Sequence, residues 1–152
     1  MNVIVFDTEF TAWEGSMARN WSGPGEHREL VQIGAVRLDA GTLVETGAFS
    51  ILVRPRINSK LSSYFVALTG ITDEAIAADA VSFEAAIDAF AAFRGRCPLF
   101  CNGRDDLIFS ENARLYGLTW SEDAWRATSL TRWLRAAGLD LTGLHSCDLA
   151  RA

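Results

Sequence analysis

The apolar positions of this chain fall into short runs and helical stripes, each closed by a turn signal or a polar cluster. Val3 to Phe6 is continuously apolar, the pattern of a strand buried on both faces. Glu29 to Asp39 (ELVQIGAVRLD) predicts a second strand, with Gly34 at a point of close backbone approach. Ala40-Gly41 is a turn, and Val44 to Val53 predicts a third strand. So tight a link makes strands two and three an antiparallel hairpin. Pro55 ends the third strand, because proline cannot donate to a ladder. A short helix is expected near Ser62 to Leu68, and Thr72 is placed to cap another that begins DEAIA. Ser82 caps the next helix, where Phe83, Ile87, Phe90 and Phe93 make an apolar stripe up to the stop at Gly95. Pro98 to Cys101 predicts a fourth strand, and Leu107 to Tyr116 a helix that Gly117 closes. Trp120 and Trp125 fall in a connector, Arg126 to Ala137 reads as helix up to Gly138, and Ser146 can cap a last helix, CDLARA. Strands that later alternate with helices predict an α/β domain around a mixed sheet.

Composition narrows the class. With 152 residues, 49% hydrophobic and 11% aromatic, the chain can bury one good core, so one domain over residues 1–152 is expected. No apolar run reaches the roughly 18 residues of a membrane span. Asp7 and Glu9 also break the pattern of a secretory leader. Cys97, Cys101 and Cys147 lack metal-knuckle spacing and are odd in number. They read as buried thiols of a reducing compartment, hence a cytoplasmic protein without a membrane partner. The net charge of −5, carried against thirteen arginines and one lysine, disfavours long contact with a polyanion. Any nucleic-acid contact should span a few nucleotides at most.

The candidate chemistry begins where the first strand stops. Asp7 and Glu9 share one side of an extended strand, roughly 7 Å apart at their Cα atoms. They are either two solvated carboxylates or a pair that a cation relieves of mutual repulsion, and an all-oxygen site suits Mg²⁺ or Mn²⁺. The fourth strand also ends in polar residues, Asn102-Gly103-Arg104-Asp105-Asp106. If the two strands are neighbours, Asp106 in the first turn of the next helix can face Asp7. Three such carboxylates could hold two metals about 4 Å apart, the arrangement of in-line phosphoryl chemistry. Asp105 is expected to point elsewhere, as a solvated or capping residue. The loop from Ala12 to Arg28 carries Trp13, Met17 and Trp21. These either cover the sheet edge or form a flap on which a base can stack. No P-loop, G-x-S-x-G or Cys-His arrangement competes.

FDTEFT, ELVQIGAV, a hairpin strand running into RP, LTGIT and CNGRDD follow one another along essentially the whole chain. In that order they resemble the DnaQ-like (DEDD) 3′–5′ exonuclease superfamily. The similarity is greatest to its RNA-trimming branch, which includes ribonuclease T and the histone-mRNA and small-RNA exonucleases. The resemblance implies a ribonuclease H-like α/β fold, with a mixed central sheet, a leading antiparallel hairpin and flanking helices. It matches Asp7 and Glu9 to the family's D-x-E. Asn102 and Asp106 match its second motif, an Asn followed four residues later by Asp. It implies that Asp7, Glu9 and Asp106 are catalytic and hold Mg²⁺ or Mn²⁺, two per complete site. Phe10, with Thr11 beside it, is then assigned to the terminal nucleotide, with Ile71 of LTGIT and Asn102 as further substrate contacts.

The third motif departs from the family. The family places a His five residues before a last Asp, whereas His145 has Ala150 at that spacing and Asp148 at three. Either His145 and Asp148 are a degenerate form, or the domain lacks its C-terminal helix and His145 is an ordinary loop residue. The second is the reading taken. The implied reaction is release of nucleoside 5′-monophosphates from single-stranded 3′ ends, RNA ahead of DNA, with a homodimer allowed for. The alternatives are a catalytically impaired exonuclease-like module that binds nucleic acid or a partner, and a ribonuclease H-like endonuclease.

Overall fold

The computed structural model describes residues 1–138 and Asp140, and these build one five-stranded sheet. In chain order the strands are β1 (Asn2–Phe10), β2 (Leu30–Asp39), β3 (Glu45–Leu52), β4 (Leu99–Cys101) and β5 (Ala127–Ser129). The helices are α1 (Ser63–Thr69), α2 (Asp73–Asp79), α3 (Phe83–Arg94), α4 (Asp106–Leu115), α5 (Glu122–Trp125) and α6 (Leu130–Ala136). The sheet order is β3-β2-β1-β4-β5. β1, β2 and β3 form the expected antiparallel meander, while β4 pairs parallel to β1 and β5 parallel to β4. The mixed sheet flanked by helices is the fold class that the sequence predicts. Two elements differ from expectation: the helix read from Arg126 begins only at Leu130, preceded by β5, and the tryptophan connector contains the single turn α5.

One face of the sheet carries the core. Ile4 and Phe6 of β1, Leu30 and Ile33 of β2, and Leu99 of β4 pack against Phe83 and Phe90 of α3 and Phe109 of α4. Phe109 is fully buried and stacks on Phe6 at 5.5 Å between centroids. A smaller cluster joins Ala12, Val31, Phe65, Ile71 and Ile76 beneath α1 and α2. The caps follow the sequence, for Ser62, Thr72 and Ser82 each accept a bond from the backbone N–H three residues on. Gly70 closes α1 at φ 75°, a conformation that side chains with a Cβ rarely adopt. The close approach expected at Gly34 is not there, since a Cβ at that position would meet nothing within 4 Å.

Glu29 ties the sheet to the loops around it. It is fully buried, and its carboxylate accepts bonds from the backbone N–H groups of Arg56, Ile57 and Asn58 and from the Tyr116 hydroxyl. Burial and the neighbouring Glu29 carboxylate together push the Tyr116 hydroxyl far above its usual pKa. Asn58 in turn donates from Nδ2 to the Gly25 carbonyl, so this carboxylate fixes segment 56–58 and, through it, the far end of the long loop. Cys97 and Cys101 are free thiols, and burial raises Cys101 to about 11. Among the described residues no helix is long and apolar enough to cross a membrane. Cys147, His145, Asp148 and the expected last helix lie outside the described residues.

Candidate active site

Alternation along β1 sends Ile4, Phe6 and Thr8 toward the helices and Asp7 and Glu9 to the other face. Opposite them on β2 stand Gly34 and Gln32. Because Gly34 has no side chain, a shallow depression opens beside Asp7, bordered by Val5, Val36, Ala48, Asn102 and Leu130. The register with β2 shifts between Glu9 and Phe10, skipping Val31, and such an irregularity bends a strand and re-aims its side chains. Parallel pairing of β1 with β4 puts the ends Phe6-Asp7 and Cys101-Asn102 side by side, where open α/β sheets place their sites.

The third acid at this place is Asp105. Its Oδ1 accepts a 2.7 Å bond from the Thr8 hydroxyl and a 3.3 Å bond from the Thr8 backbone N–H. Asp105 stands at the N-cap position of α4 but makes no side-chain capping bond, so neither the solvated nor the capping role expected of it is what the structure shows. Asp106 has other partners. It is buried, gripped by Arg104 through Nε at 2.9 Å and Nη2 at 3.1 Å, and accepts from the Ala127 N–H of β5. Helical spacing does not separate the two, since Asp105 lies four and Asp106 three residues before the core-facing Phe109 and both spacings share a helix face.

Electrostatics couples the three acids across an open spacing. Burial, then repulsion from Asp105, raises the Asp7 pKa, although its oxygens keep some contact with solvent; the Thr8 N–H opposes this. Burial, then Asp7 and then Asp105, raise Glu9. Burial raises Asp105 itself against the bonds from Thr8 that favour its charged form. Among the described residues none of the three has an ion-pair partner. Three uncompensated carboxylates are the donor chemistry of a hard dication such as Mg²⁺ or Mn²⁺. Their spacing is open, however: among the described residues no three His, Cys, Asp or Glu side chains are gathered closely enough to hold a metal.

The other expected contacts divide. Phe10 is half-buried, with its ring 5.4 Å from Trp21, so Trp21 rather than Trp13 is the aromatic beside it. Trp21 is held by a 2.9 Å bond from Nε1 to the Thr11 carbonyl and sits, like Asn20, in the left-handed region at φ 52°. A bulky residue rarely adopts that conformation unless its surroundings enforce it. Thr11 is buried and its hydroxyl is spent, donating to the His27 carbonyl and accepting from the Glu29 N–H. It braces the loop and is not presented to a ligand. Ile71 is likewise core, packed in the cluster with Phe65 and Ile76. Asn102 is at the mouth. Its carbonyl and Oδ1 lie 2.6 and 2.7 Å from the Thr131 hydroxyl, which leaves its Nδ2 donor unused among the described residues.

Comparison with known proteins adds what geometry alone does not. Residues 4–106 match the family model RNase_T, described as exonuclease. No protein of curated function matches the sequence. Among solved structures, the chain is similar to the nuclease domain of 3′hExo, a DEDDh family member bound to rAMP. The identity is 22% and the TM-score 0.67, over 97% of this chain and 84% of that one. It is similar to cell-death related nuclease 4 (CRN-4) at 17% identity and TM-score 0.72, over 95% of this chain and 50% of that one. E. coli exonuclease I in complex with a dT13 oligonucleotide follows at 16% identity and TM-score 0.67, over 95% of this chain and 31% of that one.

Proposed function

Because this chain belongs to the RNase T exonuclease family of the DnaQ-like superfamily, we propose that it is a metal-dependent 3′–5′ exonuclease of single-stranded ends. The observation that carries the reading is the electrostatic coupling of Asp7, Glu9 and Asp105 at the adjoining ends of β1 and β4, which raises the pKa of Asp7 and Glu9 beyond what burial does. Asp7 and Glu9, with Asp105 taking the place first given to Asp106, would hold the ion. A bound Mg²⁺ or Mn²⁺ supplies Lewis acidity toward a phosphodiester and lowers the pKa of water. Thr8 orients Asp105, Phe10 with Trp21 offers an apolar face to the terminal base, and Asn102 offers an amide donor at the mouth. RNA is placed ahead of DNA because a structural neighbour with 22% identity is described in 3′-end recognition of a histone mRNA stem-loop. The dT13 complex of exonuclease I keeps single-stranded DNA as the second substrate.

The test uses 5′-labelled oligonucleotides with free and blocked 3′ ends, in Mn²⁺ and in chelator. Stepwise shortening of the free end alone, with mononucleotide release, is expected. Equal cutting of the blocked strand would make the protein an endonuclease. The open spacing of the acids favours one other reading, a module that binds a 3′ end without cutting. That reading predicts binding by the same oligonucleotides and no shortening in any metal.

A further inference from the structure

Near the carboxylates the surface changes sign. A groove runs between the β4–α4 turn and the start of α6, lined by Asn102, Arg104, Ser129, Thr131, Arg132 and Arg135. Among the described residues no carboxylate lines it, in a chain whose net charge is −5. Arg104 is committed to Asp106 yet stays 58% exposed at its side chain. Arg132 and Arg135 are exposed and have no ion-pair partner among the described residues. Two neighbouring guanidinium groups held without counter-charge repel each other, and an anion relieves that repulsion while accepting their forked donors. The groove is joined to the acid site through one residue. Asn102 borders both the groove and the depression beside Asp7, with Leu130 next to the groove's own residues.

We infer that this groove holds the phosphodiester backbone of the strand whose 3′ end lies at Asp7, Glu9 and Asp105, so that Arg132 and Arg135 grip upstream nucleotides. The inference rests on the exonuclease reading and deepens it by assigning where the rest of the substrate lies. It also answers how an acidic protein holds a polyanion: with a short arginine track set apart from the acids, not with a basic face. Contacts of this kind carry no base information, so the grip is indifferent to sequence.

The experiment is fluorescence anisotropy of the whole chain with 5′-labelled oligouridylates of two and eight nucleotides, in Ca²⁺, over a range of salt. The octamer should bind more tightly than the dimer. The double variant Arg132→Glu/Arg135→Glu should lose about tenfold or more of the octamer affinity and leave the dimer unchanged. Its salt slope should flatten by about 1.4, since each single-strand phosphate contact contributes about 0.7. Arg132→Lys/Arg135→Lys should keep most of the slope. Arg96→Glu, beyond the end of α3 and before β4, should alter neither oligonucleotide. Equal losses for dimer and octamer, or an equal effect of Arg96→Glu, would overturn the groove assignment. So would polyglutamate that competes as well as RNA of equal charge, which would give the groove to an acidic protein. If the wild-type chain binds neither oligonucleotide, the exonuclease reading fails along with it.

Discussion

At the scale of single residues, two neighbouring aspartates are asked to do different work, and substitution separates them. Asp105→Asn should abolish Mn²⁺-dependent shortening while leaving the urea midpoint close to wild type, because Thr8 can still bond to an amide oxygen. Asp106→Asn should act mainly on stability, by about 1–3 kcal/mol, since it loosens the paired bonds to Arg104 beneath β5. The raised acids give a pH signature with a definite sign. Asp7, Glu9 and Asp105 each titrate higher in the folded protein than in the unfolded chain. Their contribution is therefore complete below the unfolded values, near pH 4, and is lost as pH rises through the folded ones. In chelator, the Tm of Asp7→Asn should gain on wild type as pH rises toward neutrality. The comparison between variants is the measure, because Glu26, Asp39 and Glu84 are shifted downward and move the total the other way. Phe10→Ala should weaken binding of a short single strand by about 5- to 150-fold, the worth of one base stacked on an aromatic ring. Equilibrium titration reads this directly. Two residues assigned to the substrate from sequence have structural contacts that the sequence does not display. Thr11 and Ile71 look like pocket residues only while the loop beneath them is undrawn, and the structure spends both on holding that loop down.

At the scale of elements, those with a strong apolar period or a capping residue were legible, and those set only by tertiary pairing were not. β1 to β4 and α1 to α4 each carry a run, a stripe or a Ser/Thr cap in the sequence. β5 has only Ala127-Thr128-Ser129, three residues without an apolar signal, extended because β4 offers its free edge. The helix expected from Arg126 was shortened for the same reason. Native-state hydrogen exchange should display this difference. Amides of β2 and β1, paired on both sides, should be the slowest in the sheet, and those of β5 at the edge of the described sheet should exchange far faster. Loops respond to buried polar anchors in the same way. Glu29→Ala would leave three backbone N–H groups and the Tyr116 hydroxyl without their acceptor, at a cost of about 4 kcal/mol or more. Urea unfolding should show the midpoint fall at an unchanged slope.

At the scale of the whole molecule, the sheet is what makes a site of distant segments. Asp7 and Glu9 lie on the first strand, while Asp105 meets Thr8 from a position 97 residues later in the chain. The meander of β1, β2 and β3 can pair from neighbouring segments, but that meeting waits until β4 has docked in parallel beside β1. A ligand that engages all three acids recognises only the closed sheet, so at a thousand times its Kd it would add about 4.1 kcal/mol to the native state and nothing to a partly folded one. The same dependence ties the complete set of acids to the complete sheet. A nascent chain still lacking residues 98–106, or a fragment severed between β3 and β4, carries two of the acids but not the third. An unfinished or dismantled copy of this protein therefore lacks the full set of acids on which the proposed reaction depends.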